Sequence, residues 1–193
     1  MIAIRLLGLL IALSLVTGCA SSPASATRYT LPEGSDSVTE GKASAPYTLV
    51  VRPLRVADYL DAEGIVLQLD DITLNQAREH QWAEDLSRQL ERGLRQRLAN
   101  RLPDTHVLSD DVADTDSLRL LLTVDRFQGR YDGLAIAGGQ WQLRDARGRL
   151  LAQESFSAET ELDADGYPAL VRALGRSWDK VADRLAERIV ELR

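Results

Sequence analysis

Cysteine and histidine, which form many catalytic and metal sites, are scarce in this sequence of 193 residues. A single cysteine excludes a disulfide framework and any cysteine-rich metal site. The two histidines, His80 and His106, lack a partner in an H-E-x-x-H arrangement, so we interpret both as surface or packing residues. Neither a G-x-S-x-G nucleophile elbow nor a G-x-x-x-x-G-K-S/T phosphate loop is present. These absences argue against a hydrolase, an ATP-hydrolysing enzyme and a histidine-based metal centre.

Positive charge is also in short supply. The 23 Lys and Arg residues are outnumbered by 29 Asp and Glu residues, and the formal net charge is −6. Nucleic-acid-binding proteins usually carry a basic stripe, so we expect no nucleic-acid partner. Hydrophobic residues make up 45% of the chain, and its length suits a single domain that can bury a core.

The N-terminal segment is typical of a secretory signal. Arg5 supplies a positive charge, and the apolar run that follows is too short to cross a bilayer. The run ends at Gly18-Cys19, which resembles a bacterial lipobox. The resemblance implies attachment of a diacylglycerol to the Cys19 thiol through a thioether, cleavage before Cys19 and acylation of its new amino group, which together supply three acyl chains. An ordinary signal peptide with an incidental cysteine is the alternative. The predicted parts are a lipoprotein signal peptide (1–18), a lipidated N-terminus and tether (19–27) and one domain (28–193).

Covalent lipid would hold this domain at a membrane surface. Each buried methylene contributes about 0.8 kcal/mol, and stable attachment needs more than one acyl chain, a condition that three chains meet. The residue after Cys19 is Ala20, whereas Asp at this position favours inner-membrane retention in enterobacterial-type sorting. For a Gram-negative source we therefore expect the outer membrane, with the domain facing the periplasm. We expect no cofactor other than the lipid anchor.

Hydrophobic periodicity predicts an α+β fold, with an antiparallel sheet of about six to seven strands packed with two main helices. Leucines at every fourth position indicate the first helix, Ala83–Arg101, and apolar residues three or four positions apart indicate the second, Tyr167–Leu192. Alternating or β-branched runs predict the strands. They are Arg28–Leu31, Tyr47–Val51, Ile65–Leu69, Ile72–Asn75, Thr105–Leu108, Leu118–Val124 (with a continuation through Phe127 left open), Gln140–Arg144 and Leu150–Ala158.

Turns and loops complete this prediction. The strands beginning at Ile65 and Ile72 form a hairpin, and the last three strands form a meander. Gly133–Gly139 is interpreted as a hairpin bend, and a start of the next strand within this segment is left open. Four aspartates between positions 110 and 116 indicate a solvated loop, because the glycine and terminal glutamate of a calcium-binding loop are missing. Asp163, Asp165 and Gly166 are expected to cap the positive end of the second helix rather than to bind a metal ion.

Three segments place aromatic or apolar residues where loops or element ends are expected. These residues are candidates for partner contact, because Trp, Tyr and Arg are enriched at protein interfaces. Local packing is the alternative for each. The candidates are Tyr59 and Leu60 between two strands, Trp82 at the start of the first helix, and Phe127 and Tyr131 near a strand end.

The same segments carry a resemblance to a known family. Five motifs occur in the family's order: Arg28-Tyr29-Thr30-Leu31-Pro32 after the lipobox, Val51–Leu60, Trp82-Ala83-Glu84-Asp85-Leu86, Asp125–Gly129 and Trp141–Asp145. Together they make the chain resemble the ABC-type transport auxiliary lipoproteins over nearly its whole mature length. Asp85 departs from the family pattern, in which we expect Pro.

The resemblance implies a role rather than a reaction. Lipoproteins of this family work with MCE-domain proteins that bridge the periplasm and move lipids or maintain the outer membrane. The chain would be the outer-membrane docking subunit of such a system, a non-enzymatic adaptor for a PqiB-like MCE-domain protein. A homo-oligomeric ring would suit such a partner, although no sequence feature indicates it. The alternative is a periplasmic lipid carrier, which requires an apolar cavity of at least about 300 Å³ between the sheet and the helices.

Overall fold

The computed structural model of the chain describes residues 25–34, 45–109 and 117–193. The predicted signal peptide (1–18), residues 19–24 of the tether with Cys19, residues 35–44 and the acidic segment 110–116 lie outside the described residues. Nine strands form one mixed sheet. They are β1 (Thr27–Tyr29), β2 (Tyr47–Val51), β3 (Arg55–Val56), β4 (Gly64–Gln68), β5 (Leu74–Trp82), β6 (Thr105–Ser109), β7 (Leu118–Arg130), β8 (Leu134–Arg144) and β9 (Leu150–Glu161).

Strand β7 organises the sheet, because its 13 residues give it room for several neighbours. On one side, β2, β3 and β4 run parallel to it in succession, opposite Leu118–Leu120, Thr123–Val124 and Gly129–Arg130. Strand β6 extends the sheet beyond β2, while β5 and then β1 extend it beyond β4. On the other side, β8 and β9 continue as an antiparallel meander.

These observations confirm the α+β class, the two main helices and the final meander. The sheet has more strands than predicted, and five of its pairings are parallel. The segment 47–68 explains the difference, because Pro53 and a 3-10 helix at Asp58–Leu60 divide it into three short strands that share one long neighbour. Alternation within a strand does not encode the direction of its neighbour.

Two helices cover one face of the sheet and share its hydrophobic core. Helix α2 (Tyr167–Leu192) has the predicted bounds, whereas α1 (Leu86–Arg101) begins three residues later than predicted, because β5 continues to Trp82. Among the described residues, no helix is long and apolar enough to cross a membrane. The predicted helical stripes are buried: Leu86, Leu90, Leu94 and Leu98 in α1, and Leu170, Leu174, Trp178, Val181, Leu185 and Ile189 in α2.

The core is centred on Trp178, whose side chain is completely buried. Phe127 and Phe156 meet its ring edge-on, with ring centroids 6.0 and 6.2 Å from that of Trp178. The indole N–H of Trp178 donates a hydrogen bond to the carbonyl oxygen of Leu90 in α1 at 3.2 Å. One residue thus joins both helices and the sheet, and its only polar atom is satisfied.

The glycines between 133 and 139 do not form the predicted single bend, because β8 already begins at Leu134. Only Gly133, with φ of +83°, lies in the β7–β8 turn, whereas Gly138 and Gly139 lie inside β8. They face an irregularity in the β7 register between Val124 and Arg126. Gly139 is needed because the backbone of β7 at Thr123 comes too close to leave room for a Cβ atom, and not because the chain turns there.

The predicted cap of α2 is confirmed for Gly166, which is the N-cap residue, but no side chain caps this end of the helix. Asp163 instead pairs with Arg176 in the next turns of α2, at 2.9 Å. Asp163 therefore forms an ion pair with a side chain of α2 and does not accept hydrogen bonds from the free backbone N–H groups at the start of the helix.

Candidate functional site

Three of the five predicted partner-contact residues belong to the core. Leu60, Trp82 and Phe127 are only 2%, 3% and 1% exposed. Trp82 lies at the end of β5 rather than in a helix, and its ring centroid is 6.1 Å from that of Phe127. Burial of these large apolar groups stabilises the domain, and it leaves them no surface to offer a partner. The partner-contact interpretation is therefore corrected for these three residues.

Tyr59 is half-buried and serves mainly to fix the 3-10 helix against β7. Its hydroxyl oxygen lies 2.6 Å from the carbonyl oxygen of Asp125 and 2.9 Å from Oε1 of Gln128, and its single proton can be donated to one of them at a time. Gln76 of β5 donates from Nε2 to the carbonyl oxygen of Tyr59 at 2.8 Å. Burial raises the pKa of the Tyr59 hydroxyl, although Arg126 opposes this effect. Its contact with a partner stays a prediction.

Tyr131 is 63% exposed and lies beside the tip of another hairpin. Gln68 at the end of β4 is opposite Arg130 in β7, so the β4–β5 turn and the β7–β8 turn share one end of the sheet. The β4–β5 turn exposes Ile72 (86%) and leaves Leu69 (53%) and Leu74 (42%) accessible. We call this group the apolar tip, defined by Leu69, Ile72, Leu74 and Tyr131.

Sequence reasoning missed most of the apolar tip. Leu69 and Ile72 are predicted as the last and first residues of two strands, whereas in the structure both lie outside β4 and β5, on either side of the turn residues Asp70-Asp71. The Asp70 carboxylate accepts the backbone N–H groups of Ile72 at 2.9 Å and Thr73 at 2.7 Å, and these hydrogen bonds lower its pKa. Such an Asx-type turn holds Ile72 at the tip. An isoleucine directly after Asp-Asp was the signal available in the sequence.

A second surface lies on the face of the sheet opposite the helices. A groove of about 490 Å³ runs between the β2–β3 connection and the neighbouring strands β7 and β8. Its lining includes Arg52, Arg55, Thr123, Gln140 and Gln142. Arg119 and Arg144, which are direct cross-strand partners, adjoin this lining on the same face, and we call the whole surface the arginine groove.

The arginine groove concentrates cations in an acidic protein. Arg144 donates to Oε1 of Gln142 at 2.8 Å and to the carbonyl oxygen of Gly148 at 3.0 Å. Within residues 25–34, 45–109 and 117–193, no carboxylate pairs with Arg55, Arg119 or Arg144. Elsewhere the arginines are commonly paired, as in Arg130–Asp132 at 2.8 Å. The groove was invisible in the sequence, because its arginines come from three separate segments that meet only through strand pairing.

A cleft of about 420 Å³ lies between the segment that follows β1 and helix α1, where Leu31 and Gln89 line it, and therefore not between the sheet and the helices. A cleft with a mainly apolar lining, between Leu67, Leu162, Tyr167 and Leu170, has a volume of about 120 Å³, below the size that a lipid carrier requires. The larger arginine groove is an open and largely polar cleft. In this part of the chain, no three His, Cys, Asp or Glu side chains are grouped to hold a metal ion.

The fold and these surfaces define a small α+β domain that presents an open cationic groove and an apolar tip. The family model of the ABC-type transport auxiliary lipoprotein component matches residues 29–186. The chain belongs to this family, as its sequence motifs predicted. The family is one of transport auxiliary lipoproteins and not of enzymes.

A curated relative is the intermembrane transport lipoprotein PqiC of Escherichia coli (strain K12), which is 31% identical over 177 residues, or 92% of this chain and 93% of PqiC. PqiC of Shigella flexneri gives the same figures. A crystal structure described as an uncharacterized protein is 30% identical with a TM-score of 0.75, covering 86% of this chain and 99% of the other. A Xanthomonas campestris protein, 19% identical, shares the fold with a TM-score of 0.72, covering 86% and 96% of the two chains.

Proposed function

We propose that this chain is a periplasm-facing outer-membrane lipoprotein, lipidated on Cys19, that docks a PqiB-like MCE-domain protein. In this role it is the non-enzymatic auxiliary subunit of an envelope lipid-transport system that supports membrane integrity. The observation that carries the proposal is the arginine groove on the open face of the sheet. PqiC, a relative of this chain, is named an intermembrane transport lipoprotein. Transport between two membranes needs a contact between a component held at one membrane and a component held at the other.

The arginine groove suits the surface of a protein partner. Arg55 lies on β3 and Arg119 on β7, so strand pairing fixes the backbone positions of both residues. A guanidinium offers five N–H donors in a planar fork that matches a carboxylate, and arginine is enriched at protein interfaces. We therefore expect the docking segment of the MCE-domain partner to be acidic. Complementary charge of this kind accelerates encounter and selects among partners.

A pull-down from solubilised envelopes tests this proposal. The lipidated chain and its Arg55→Glu/Arg119→Glu variant serve as baits, and mass spectrometry identifies both captured proteins and bound lipids. Arg172→Glu, on the exposed side of α2, is the matched control, because it changes charge on the face away from the groove. Thermal unfolding of all three proteins checks that the variants remain folded.

We expect the wild-type chain and the Arg172→Glu control to capture an MCE-domain protein, and the double variant to lose most of this capture. Equal capture by all three baits would contradict the role of the groove. Stoichiometric lipid on the isolated domain, with no MCE-domain protein captured, would contradict the docking function and favour the carrier. These outcomes therefore distinguish an incorrect docking site from an incorrect docking function.

A further inference from the structure

We propose that the apolar tip rests on the phospholipid surface in which the chain is anchored, so that the domain has a fixed orientation at the membrane. The occupant of this surface is the bilayer itself, with zwitterionic headgroups. The inference rests on the proposed lipidation of Cys19, but it is independent of the arginine groove. It assigns Tyr131 to the membrane rather than to a protein partner.

The first argument is the clustering of exposed apolar groups. Single exposed apolar residues are ordinary on a protein surface, but a cluster at one end needs an occupant. Ile72 and Tyr131 project from two adjacent turns, with Leu69 beside them. Isoleucine and leucine can enter the headgroup boundary, and tyrosine is enriched at that depth.

The second argument is the path of the tether. Strand β1 runs parallel to β5, with Thr27 opposite His80, and β5 begins at the tip with Leu74. The N-terminal end of β1 therefore faces the end of the sheet that carries the tip. Cys19 is six residues before Ser25, so the anchor lies within about 20 Å of Ser25 even if the connection is fully extended.

The charges at the tip are compatible with a zwitterionic surface. The Asp70 carboxylate is engaged by the N–H groups of its own turn, and Asp132 pairs with Arg130 at 2.8 Å. Asp71 opposes binding to strongly anionic lipid. A few apolar side chains would bind such a membrane weakly by themselves, but an anchor on the same chain supplies a high effective concentration.

This orientation has a consequence for the groove. Leu122, beside the arginine groove, and Gly129, beside the tip, are seven residues apart in β7, which corresponds to roughly 24 Å. With the tip on the bilayer, the groove is held away from the lipid. A partner that reaches across the periplasm can approach it there.

Site-specific fluorescence tests the contact with lipid. Lipidation consumes the thiol of Cys19, the chain's single cysteine, so Ile72→Cys supplies a unique site for a nitrobenzoxadiazole label. Arg147→Cys, an exposed position in the β8–β9 turn at the other end of the sheet, is the matched control. Both full-length lipidated proteins are reconstituted into phosphatidylethanolamine vesicles with a minor fraction of phosphatidylglycerol. Spin-labelled acyl chains and an aqueous quencher then report the surroundings of each label.

We expect lipid-borne quenching to be several-fold stronger at position 72 than at position 147, with the reverse order for the aqueous quencher. Equal and weak lipid quenching at both positions would overturn the inference. Shielding of position 72 from the aqueous quencher without lipid quenching would also overturn it, because a protein or a second copy would then cover the tip. An unacylated N-terminus, detected by mass spectrometry, would refute the anchor as well; acylated protein with an unquenched tip refutes this inference alone.

Discussion

At the scale of single residues, Arg97 fixes the N-terminal segment between the two helices. Its side chain is 1% exposed, and its Nε lies 2.6 Å from Oδ1 of Asp179 in α2. Its Nη1 donates to the carbonyl oxygen of Gly93 at 3.1 Å and its Nη2 to that of Pro32 at 2.9 Å. The segment that follows β1 is therefore held by a buried charge, which suits a domain attached to a membrane through its N-terminus.

Replacing Arg97 by Met should lower the free energy of unfolding by about 3 kcal/mol, because the carboxylate of Asp179 loses its buried partner. Arg101→Met is the matched control, since Arg101 pairs with the exposed residue Asp183 on the same helix pair. Its loss should be below about 1 kcal/mol. Urea unfolding of both variants makes the measurement, and equal losses would contradict the structural role of Arg97.

The neighbouring glycines of β8 give a second test at this scale. A Cβ atom at Gly139 would lie 2.1 Å from the carbonyl oxygen of Thr123, whereas one at Gly138 would meet only the end of the Arg126 side chain at 2.9 Å. Gly139→Ala should therefore cost about 1–3 kcal/mol of stability, because backbone must move. Gly138→Ala should cost less, since a flexible side chain can shift. A larger loss at Gly138 in the same urea experiment would refute this account.

At the scale of elements, helix α2 protects the edge of the sheet. Arg176, Lys180 and Arg184 lie four residues apart, and they donate to the carbonyl oxygens of Glu161 (3.1 Å), Glu159 (2.6 Å) and Ser157 (2.6 Å) in β9. An unprotected edge strand invites pairing with another chain. The cations occupy these acceptors, so a homo-oligomer of this chain would need a different surface.

Removing two of these cations should expose the edge. We expect Lys180→Ala/Arg184→Ala to shift the protein toward larger assemblies in sedimentation velocity at rising concentration. Arg172→Ala/Glu187→Ala changes two exposed residues of the same helix and should leave the sedimentation coefficient unchanged. If the first pair behaves like the second, the cations do not control pairing of β9.

At the scale of the whole molecule, the apolar tip lies at one end of the sheet, and the arginine groove lies farther along β7. If the tip rests on the outer membrane as proposed, the groove is held away from that membrane, where a partner that arrives from the inner membrane can reach it. Ala20 is the residue on which the predicted sorting depends. Ala20 lies outside the residues that the structure describes, and we expect a change there to alter sorting without altering the fold.

Ala20→Asp should move the protein from the outer-membrane fraction to the inner-membrane fraction in a density gradient, while Ala20→Ser stays with the outer membrane. Asp supplies the retention signal, whereas Ser keeps a small neutral residue at the same position. Both variants should melt at the wild-type temperature. Wild-type protein in the inner-membrane fraction would refute the predicted location directly.

The sequence by itself determined the class of the fold, both main helices and the family. The bounds of Tyr47–Val51 and Tyr167–Leu192 agree with the structure at both ends, because β-branched runs and a helical apolar seam are local patterns. The ordered motifs predicted the family that the comparison with relatives then showed. These features depend on neighbouring residues along the chain, which is the information that a single sequence displays.

Only the tertiary structure decided which candidate residues are accessible. Trp82 and Phe127 resembled interface residues, but β5 extends far enough to bury the first, and the packing of α2 buries the second. Arg55, Arg119 and Arg144 became one groove when β3, β7 and β8 paired, and Tyr131 joined the hairpin tip through the β4–β7 register. Burial and proximity arise from contacts between residues far apart in the chain, and local periodicity carries no record of them.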